Sequence, residues 1–214
     1  MRIAVLGTGE VGRRLASKLV EVGHEVILGS RSADHPGAKE WAAAHDAAHG
    51  TFESAAAGAE LVVNATGGLV SLAALRAAGE ANLAGKVLVD VANALDFSTG
   101  APRVLPPPEG SVAEQLQAAF PAARVVKTLN TMTNTVMVDP ARVPGEHVVF
   151  VCGDDAEAKE VVTTLLTAFG WPIHRVVDLG DLTAARAVEQ VLPLWLRLYG
   201  TFGSGEFNFA LPRA

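Results

Sequence analysis

Residues 1–32, MRIAVLGTGEVGRRLASKLVEVGHEVILGSRS, decide how the rest of the chain is read. Ile3 to Leu6 is an uncharged apolar run, the pattern of a buried strand. It runs into Gly7-Thr8-Gly9-Glu10-Val11-Gly12, after which Val11, Leu15, Leu19 and Val22 recur at helical spacing until Gly23 stops the helix. A second apolar run then ends at Gly29-Ser30-Arg31-Ser32. A strand, a GxGxxG turn, a helix and a second strand together form a dinucleotide cradle. In that cradle Gly7 permits the tight turn, Gly9 lets the backbone approach a pyrophosphate, and Gly12 lets helix and strand pack closely. The diphosphate then meets the free amides and the positive end of the helix.

The end of the second strand selects the cofactor. An NAD site usually sets a carboxylate there to accept from the ribose hydroxyl, and a carboxylate would repel the 2′-phosphate of NADP. Here Ser30 and Ser32 offer hydrogen bonds, Arg31 offers a planar cation, and His35 can add a donor. The expected cofactor is NADP(H).

Composition narrows the class. A chain of 214 residues, 50% hydrophobic and 19% charged, is ample for a well-buried globular core. A formal net charge of -6 argues against a nucleic-acid or anionic-membrane surface. A lone cysteine, Cys152, leaves no internal disulfide and agrees with a reducing compartment. With a strand starting at Arg2 and no apolar run of membrane-spanning length, the expectation is a cytoplasmic protein without a leader.

Strand-like and helix-like patterns alternate, so the expected fold is α/β: a Rossmann-type doubly wound, mainly parallel sheet with a short C-terminal α/β extension. Strands are expected near 2–7, 25–29, 60–65, 86–91, 124–129, 147–152 and 173–178, with a weak one near 51–53. Helices are expected near 10–22, 36–49, 68–80, 111–119, 155–168 and 181–199. The Pro- and Gly-rich piece from Asn93 to Gly110 is either an active-site loop or a surface excursion. A weak boundary near Asp139–Gly145 divides a nucleotide-binding unit, 1–140, from an extension, 141–214, short enough to continue the same sheet.

Ligands in such folds bind beyond the carboxyl ends of the strands. Small or uncharged groups leave them here: Asn64-Ala65-Thr66-Gly67, Val91-Ala92-Asn93 and Thr128 to Met132. The candidate cofactor contacts are Gly7, Thr8, Gly9, Glu10 and Val11 of the loop, Ser30, Arg31, Ser32 and His35 at the phosphate, and Ala65, Thr66, Ala92 and Asn93 at the strand ends. None of the six histidines follows one of these strands, and His45, His49 and His147 read as solvated surface residues. Lys127 is a possible proton donor but reads more readily as structural, as do Asp90 and Asp96. No metal-ligand cluster and no nucleophile elbow is found, and no catalytic side chain is assigned. Such a site suits direct hydride transfer between two rings, where proximity supplies much of the effect.

At this point the sequence resembles the F420:NADP oxidoreductases, the NADPH-dependent reductases of a deazaflavin coenzyme, over nearly its whole length. GTGEVGRRLASKL and GHEVILGSRS carry the resemblance, with ARVVKTLNTM, VFVCGDDAEAKEVV and LPLWLRLYGTFGSGEFNF. The resemblance implies one Rossmann unit with a small extension, usually a homodimer, with coenzyme F420 as co-substrate stacked on the nicotinamide. It matches Thr8 and Ser30-Arg31-Ser32 to NADP contacts. Asn130 falls where some members have a histidine beside the deazaflavin, and Phe207 where they have a leucine. With Thr131 and Met132 these form the candidate substrate contacts. His35 takes a place that is often basic and Ser32 one that is often arginine, so the phosphate keeps one certain cation, Arg31. Related domains serve as the NADPH-binding part of membrane metalloreductases, which leaves open a flavin acceptor. A reductase of an imine or small carbonyl, and an NADPH-binding sensor without turnover, are the other readings.

The last expected helix is apolar on nearly all sides from Val188 to Leu198, so it must be buried in the monomer or against a partner chain, with a kink at Pro193. Arg186 and Glu189 can pair across one turn. Phe202, Phe207 and Phe209 alternate with glycines in the tail, either walling a flat ligand or packing on the core. Cys152 reads as a buried core thiol.

Overall fold

Apolar runs with helices to cover both their faces build one large, mainly parallel sheet. The structure, a computed structural model, describes residues 1–212, so Arg213 and Ala214 at the end of the expected extension lie outside the described residues. In chain order it forms β1 (Arg2–Leu6), α1 (Glu10–Glu21), β2 (Glu25–Ser30), α2 (Pro36–His45), β3 (Ala48–Thr51) and α3 (Phe52–Gly58). Next come β4 (Leu61–Asn64), α4 (Gly68–Ala78), α5 (Glu80–Leu83), β5 (Val87–Asp90) and a small ribbon, β6 (Leu95–Asp96) with β7 (Arg103–Val104). The remainder is α6 (Val112–Ala119), β8 (Arg124–Thr128), α7 (Asn134–Val138), β9 (Val149–Cys152), α8 (Ala156–Ala168), β10 (Val176–Asp178), α9 (Ala185–Gln190) and α10 (Leu192–Phe202).

The strands of the main sheet lie in the order β10-β9-β8-β5-β4-β1-β2-β3. All neighbours run parallel except β8 and β9, where Lys127 faces Cys152 and Thr128 faces Val151 in an antiparallel pair. The switch in strand order falls between β1 and β4, so the carboxyl ends of these strands open the crevice in which such folds hold ligands. The chain beyond 141 adds β9 and β10 to the same sheet in reversed direction. Two cores lie on the two faces, one around Leu15, Leu19, Trp41 and Trp171, the other around Leu75, Leu88 and Leu116.

Several expectations are corrected. The weak strand near 51–53 is instead Ala48–Thr51, and Phe52 opens a helix because the Thr51 hydroxyl accepts from Ser54 N (3.1 Å) and caps it. The helix expected to 49 ends at His45, where Asp46 takes a left-handed turn at φ 49°. The strand expected over 173–178 begins with a 3-10 turn, and only Val176–Asp178 pairs. The helix expected over 181–199 is broken into α9 and α10, with Pro193 in the first turn of α10, where its missing N–H costs nothing. Of α10 only Leu192 is buried, while Leu194 (53% exposed) and Phe202 (60%) face outward. No helix among the described residues is long and apolar enough to cross a membrane.

Candidate functional site

The three loop glycines have different reasons to be glycine. Gly7 sits at φ 123°, and a Cβ there would stand 2.5 Å from the Ala65 carbonyl oxygen. A Cβ on Gly12 would overlap the Gly7 carbonyl. At Gly9, by contrast, a Cβ would meet nothing within 4 Å and would project into the crevice. The protein itself makes no demand for glycine there, and a glycine at this point leaves the backbone open to whatever the crevice holds. Gly9, at the start of α1, presents its backbone to that space with Ala65, Thr66 and Gly67 opposite.

These four residues form a saddle between two cavities. One, of about 680 Å³, runs from Gly7 and Thr8 to Ser30, Arg31 and His35. The other, of about 390 Å³, runs from Glu10 and Val11 to Asn93, Asn130, Met132 and Trp195. A pyrophosphate on the saddle, with one nucleotide on each side, matches this two-lobed shape.

In the first cavity Arg31 is exposed and free to turn toward a phosphate, while Ser30 is buried, its hydroxyl donating to Ser32 O. Ser32 is turned away: it lies outside the cavity wall, and its hydroxyl accepts from Asp34 N (3.2 Å). His35 caps α2, its Nδ1 accepting from Ala38 N (3.2 Å). With Nδ1 accepting, the ring proton sits on Nε2 and points to the Thr8 hydroxyl (3.3 Å), both residues standing on the cavity wall. The Arg13 guanidinium lies near His35, 3.4 Å from where a Gly37 Cβ would stand, but it lines a separate groove with Glu10, Arg14, Ser17 and Trp41.

At the second cavity β8 ends with Leu129 at φ 60°, a conformation costing about 1 kcal/mol for a branched side chain. That bend delivers Asn130 to the cavity wall. Met132, Met137, Leu192 and Trp195 wall the far side, and Leu95 and Phe97 of the Pro- and Gly-rich piece close the rim. Among the described residues the only ionisable side chain on this wall is Glu10. Thr131 is buried and off the wall. Phe207 lies behind Trp195, ring centroids 5.4 Å apart, and supports the wall rather than forming it.

A family model described as "NADP oxidoreductase coenzyme F420-dependent" matches residues 2–94. The F420-dependent NADP reductase of Methanocaldococcus jannaschii is 30% identical over 220 residues, covering 96% of each chain. The chain belongs to the F420-dependent NADP oxidoreductase family. As a member it is an NADP-dependent oxidoreductase. The crystal structure of a protein from Arthrobacter sp. FB24, provisionally described as an F420-dependent NADP reductase, superposes with a TM-score of 0.93 at 52% identity over the whole of both chains. Metalloreductase STEAP3 of Rattus norvegicus is 32% identical over 91% of this chain, which spans only 38% of its length. A reductive aminase from Aspergillus terreus in complex with NADPH shares the fold alone, at 20% identity and a TM-score of 0.67 over 94% of this chain and 62% of its own.

Lys127 and Asp96, read in the sequence as possible proton-carrying groups, are engaged in bonds elsewhere. Lys127 is buried and its ammonium finds three acceptors, Asp90 Oδ2 (2.8 Å), Glu189 Oε1 (2.8 Å) and the Ala92 carbonyl. Burial pulls its pKa down, but the two carboxylates outweigh that and the net shift is upward, so it keeps its proton and is no acid. Asp90 also takes Asn64 Nδ2 (2.7 Å), and Asn64 Oδ1 accepts from the Thr66 hydroxyl on the saddle (2.7 Å). Asp96 is held at about 2 by its bonds from Arg103 and Ser98 and is no base. Arg186 and Glu189 do not pair with each other: Arg186 bridges to Glu114 (2.7 Å) and Glu189 to Lys127. Two histidines expected at the surface are structural. His147 is buried, donating from Nε2 to Pro140 O and Val143 O and accepting at Nδ1 from Asn208. His45 stacks on Trp41 and bonds Ser17. No group of metal-ligating side chains occurs among the described residues.

Proposed function

We propose that the protein passes a hydride between NADPH and a deazaflavin coenzyme of the F420 type. One observation carries this reading: beside the saddle lies a slot with apolar and amide walls and, apart from Glu10, no ionisable side chain. Such a slot can hold a planar ring against the nicotinamide, and a ring that accepts hydride at carbon needs no protein acid at that atom. Reducing an imine or a small carbonyl calls for a proton donor at the nitrogen or oxygen, and none lies on the far wall.

NADPH, when bound, supplies the hydride. The open face of Gly9 fits its diphosphate, and Arg31 fits its 2′-phosphate, with His35 beside it on the same wall. Asn93 and Asn130 orient the ring side of the site, while Met132, Leu192 and Trp195 exclude water. Rapid mixing of the protein with NADPH and oxidised F420 tests the reading through loss of deazaflavin absorbance. Turnover with a free flavin but not with F420 would overturn it. Protein that binds NADPH and reduces neither would point to a sensor.

We further propose that a second copy covers the outward face of α10, where Leu194, Tyr199 and Phe202 stand in water. Light scattering should give the mass of a dimer, and Leu194→Asp with Phe202→Asp that of a monomer.

A further inference from the structure

The charges buried around Lys127 exceed what the sheet requires. Asp90 and Lys127 are register partners on β5 and β8, their charged atoms 2.8 Å apart, and that pair is already neutral. Glu189 brings a second carboxylate from α9, equally buried and 2.8 Å from the same ammonium. Taking an extra anion out of water opposes folding, so its presence calls for a return of another kind. Glu189 also accepts the amides of Val112 (2.9 Å) and Ala113 (3.4 Å) in the first turn of α6, where the helix dipole favours an anion.

What these bonds fix is the place of α9. One residue earlier, the Val188 carbonyl accepts from Asn130 Nδ2 (3.0 Å), so two neighbouring residues tie α9 to the end of β8. Three residues after Glu189 the chain enters the second cavity at Leu192, and Trp195 follows. Within α10 only Leu192 is buried, and Trp195 is held by stacking on Phe207 of the tail while its indole N–H finds no partner among the described residues, so the polar ties that set the helix come from α9.

We propose that Glu189 is a positioning residue, whose bridge to Lys127 registers α9 and α10 so that Leu192 and Trp195 stand at a set distance from the nicotinamide end. This rests on reading that cavity as the slot of the hydride acceptor. Removing Glu189 leaves the neutral Asp90–Lys127 pair in the sheet, so the fold should survive while the wall drifts.

The test compares full-length Glu189→Ala and Glu189→Gln with the parent. NADPH affinity is read by titration, F420 reduction by steady-state kinetics, and the wall by acrylamide quenching of Trp195, taken as the difference from each chain carrying Trp195→Phe. Glu189→Ala should leave the NADPH dissociation constant within about twofold, weaken kcat/KM for F420 by about tenfold through misplacement, and at least double the quenching of Trp195. Glu189→Gln, which keeps an oxygen for the Val112 amide, should recover most of both. Unchanged Trp195 quenching in Glu189→Ala, or an equal loss of NADPH and F420 affinity, would overturn the proposal. If Glu189→Ala does not fold, Glu189→Asp, which keeps the charge but shortens the reach to Lys127 and the Val112 amide, decides in its place: Trp195 quenching raised with NADPH affinity kept supports the proposal, and parent-like quenching overturns it. Should the parent fail to reduce F420, the acceptor reading falls while the quenching arm still decides the role of Glu189.

Discussion

Asn93 and Asn130 grip each other across the floor of the second cavity. Asn93 Nδ2 donates to the Asn130 carbonyl (2.7 Å), and Asn130 Nδ2 returns a bond to Asn93 Oδ1 (3.1 Å) while also reaching Val188 O. The amide protons of Asn130 are thus spent inside the protein, and its contribution to a bound ring is rigidity. Asn130→Ala leaves Asn93 Oδ1 and Val188 O without their donor, a loss of about 1–3 kcal/mol in stability. Hydride transfer should slow by about tenfold with NADPH affinity nearly unchanged. Thermal melts and single-turnover mixing check the two halves of that expectation.

Arg31→Ala should weaken NADPH binding by roughly ten- to a hundredfold, the value of about 1.5–3 kcal/mol for a charge-assisted bond to the 2′-phosphate. NADH has no such phosphate, so its affinity should hardly move. Equal weakening toward both cofactors, measured by calorimetry, would show that Arg31 acts on the fold and not on the phosphate.

The glycine loop predicts opposite outcomes for two neighbours. Gly9→Val should melt like the parent, since its side chain points into open space, yet bind no NADPH. Gly12→Ala should lose stability whether or not cofactor is present, because its methyl group collides with the Gly7 carbonyl. A Gly9→Val protein that binds NADPH normally would place the cofactor elsewhere.

Cys152 is buried between β8 and the second core, and burial pushes its thiol from 9.0 up to about 12. A folded chain should therefore resist thiol reagents at pH 8 and react once unfolded. The sign of the linkage follows: the raised acid keeps its proton in the folded state while the unfolded chain loses it, so stability falls as pH rises above about 9. Rapid labelling of native protein at pH 8 would contradict the burial.

What was legible in the sequence was local. The turn at Gly7 to Gly12 and the Ser30-Arg31 strand end state their chemistry within a few residues, and the structure lines one cavity with both. Thr51-Phe52 misled because a β-branched and an aromatic residue favour a strand, while a single hydroxyl capping Ser54 N decides for a helix. His147 reads as a surface residue until the tail returns Asn208 to its Nδ1. Lys127 and Glu189 offer no sequence signal of their pairing, since the antiparallel turn of β9 and the return of α9 bring them together. Trp195 reads in the sequence only as one residue of an apolar helix, and its place beside Leu192 is what puts it on the cavity wall.

The antiparallel joint between β8 and β9 also bears on how the molecule is made. A chain leaving the ribosome amino end first exposes β1 to β8 before β9 exists, so the nucleotide cradle can close on its own during synthesis. At that moment Lys127 still faces water on the side that α9 will later cover, and the second cavity lacks Leu192 and Trp195. Sealing that lysine is thus among the last acts of the nascent chain. A chain ending before β9 carries the residues of the first cavity while lacking Leu192 and Trp195 of the second.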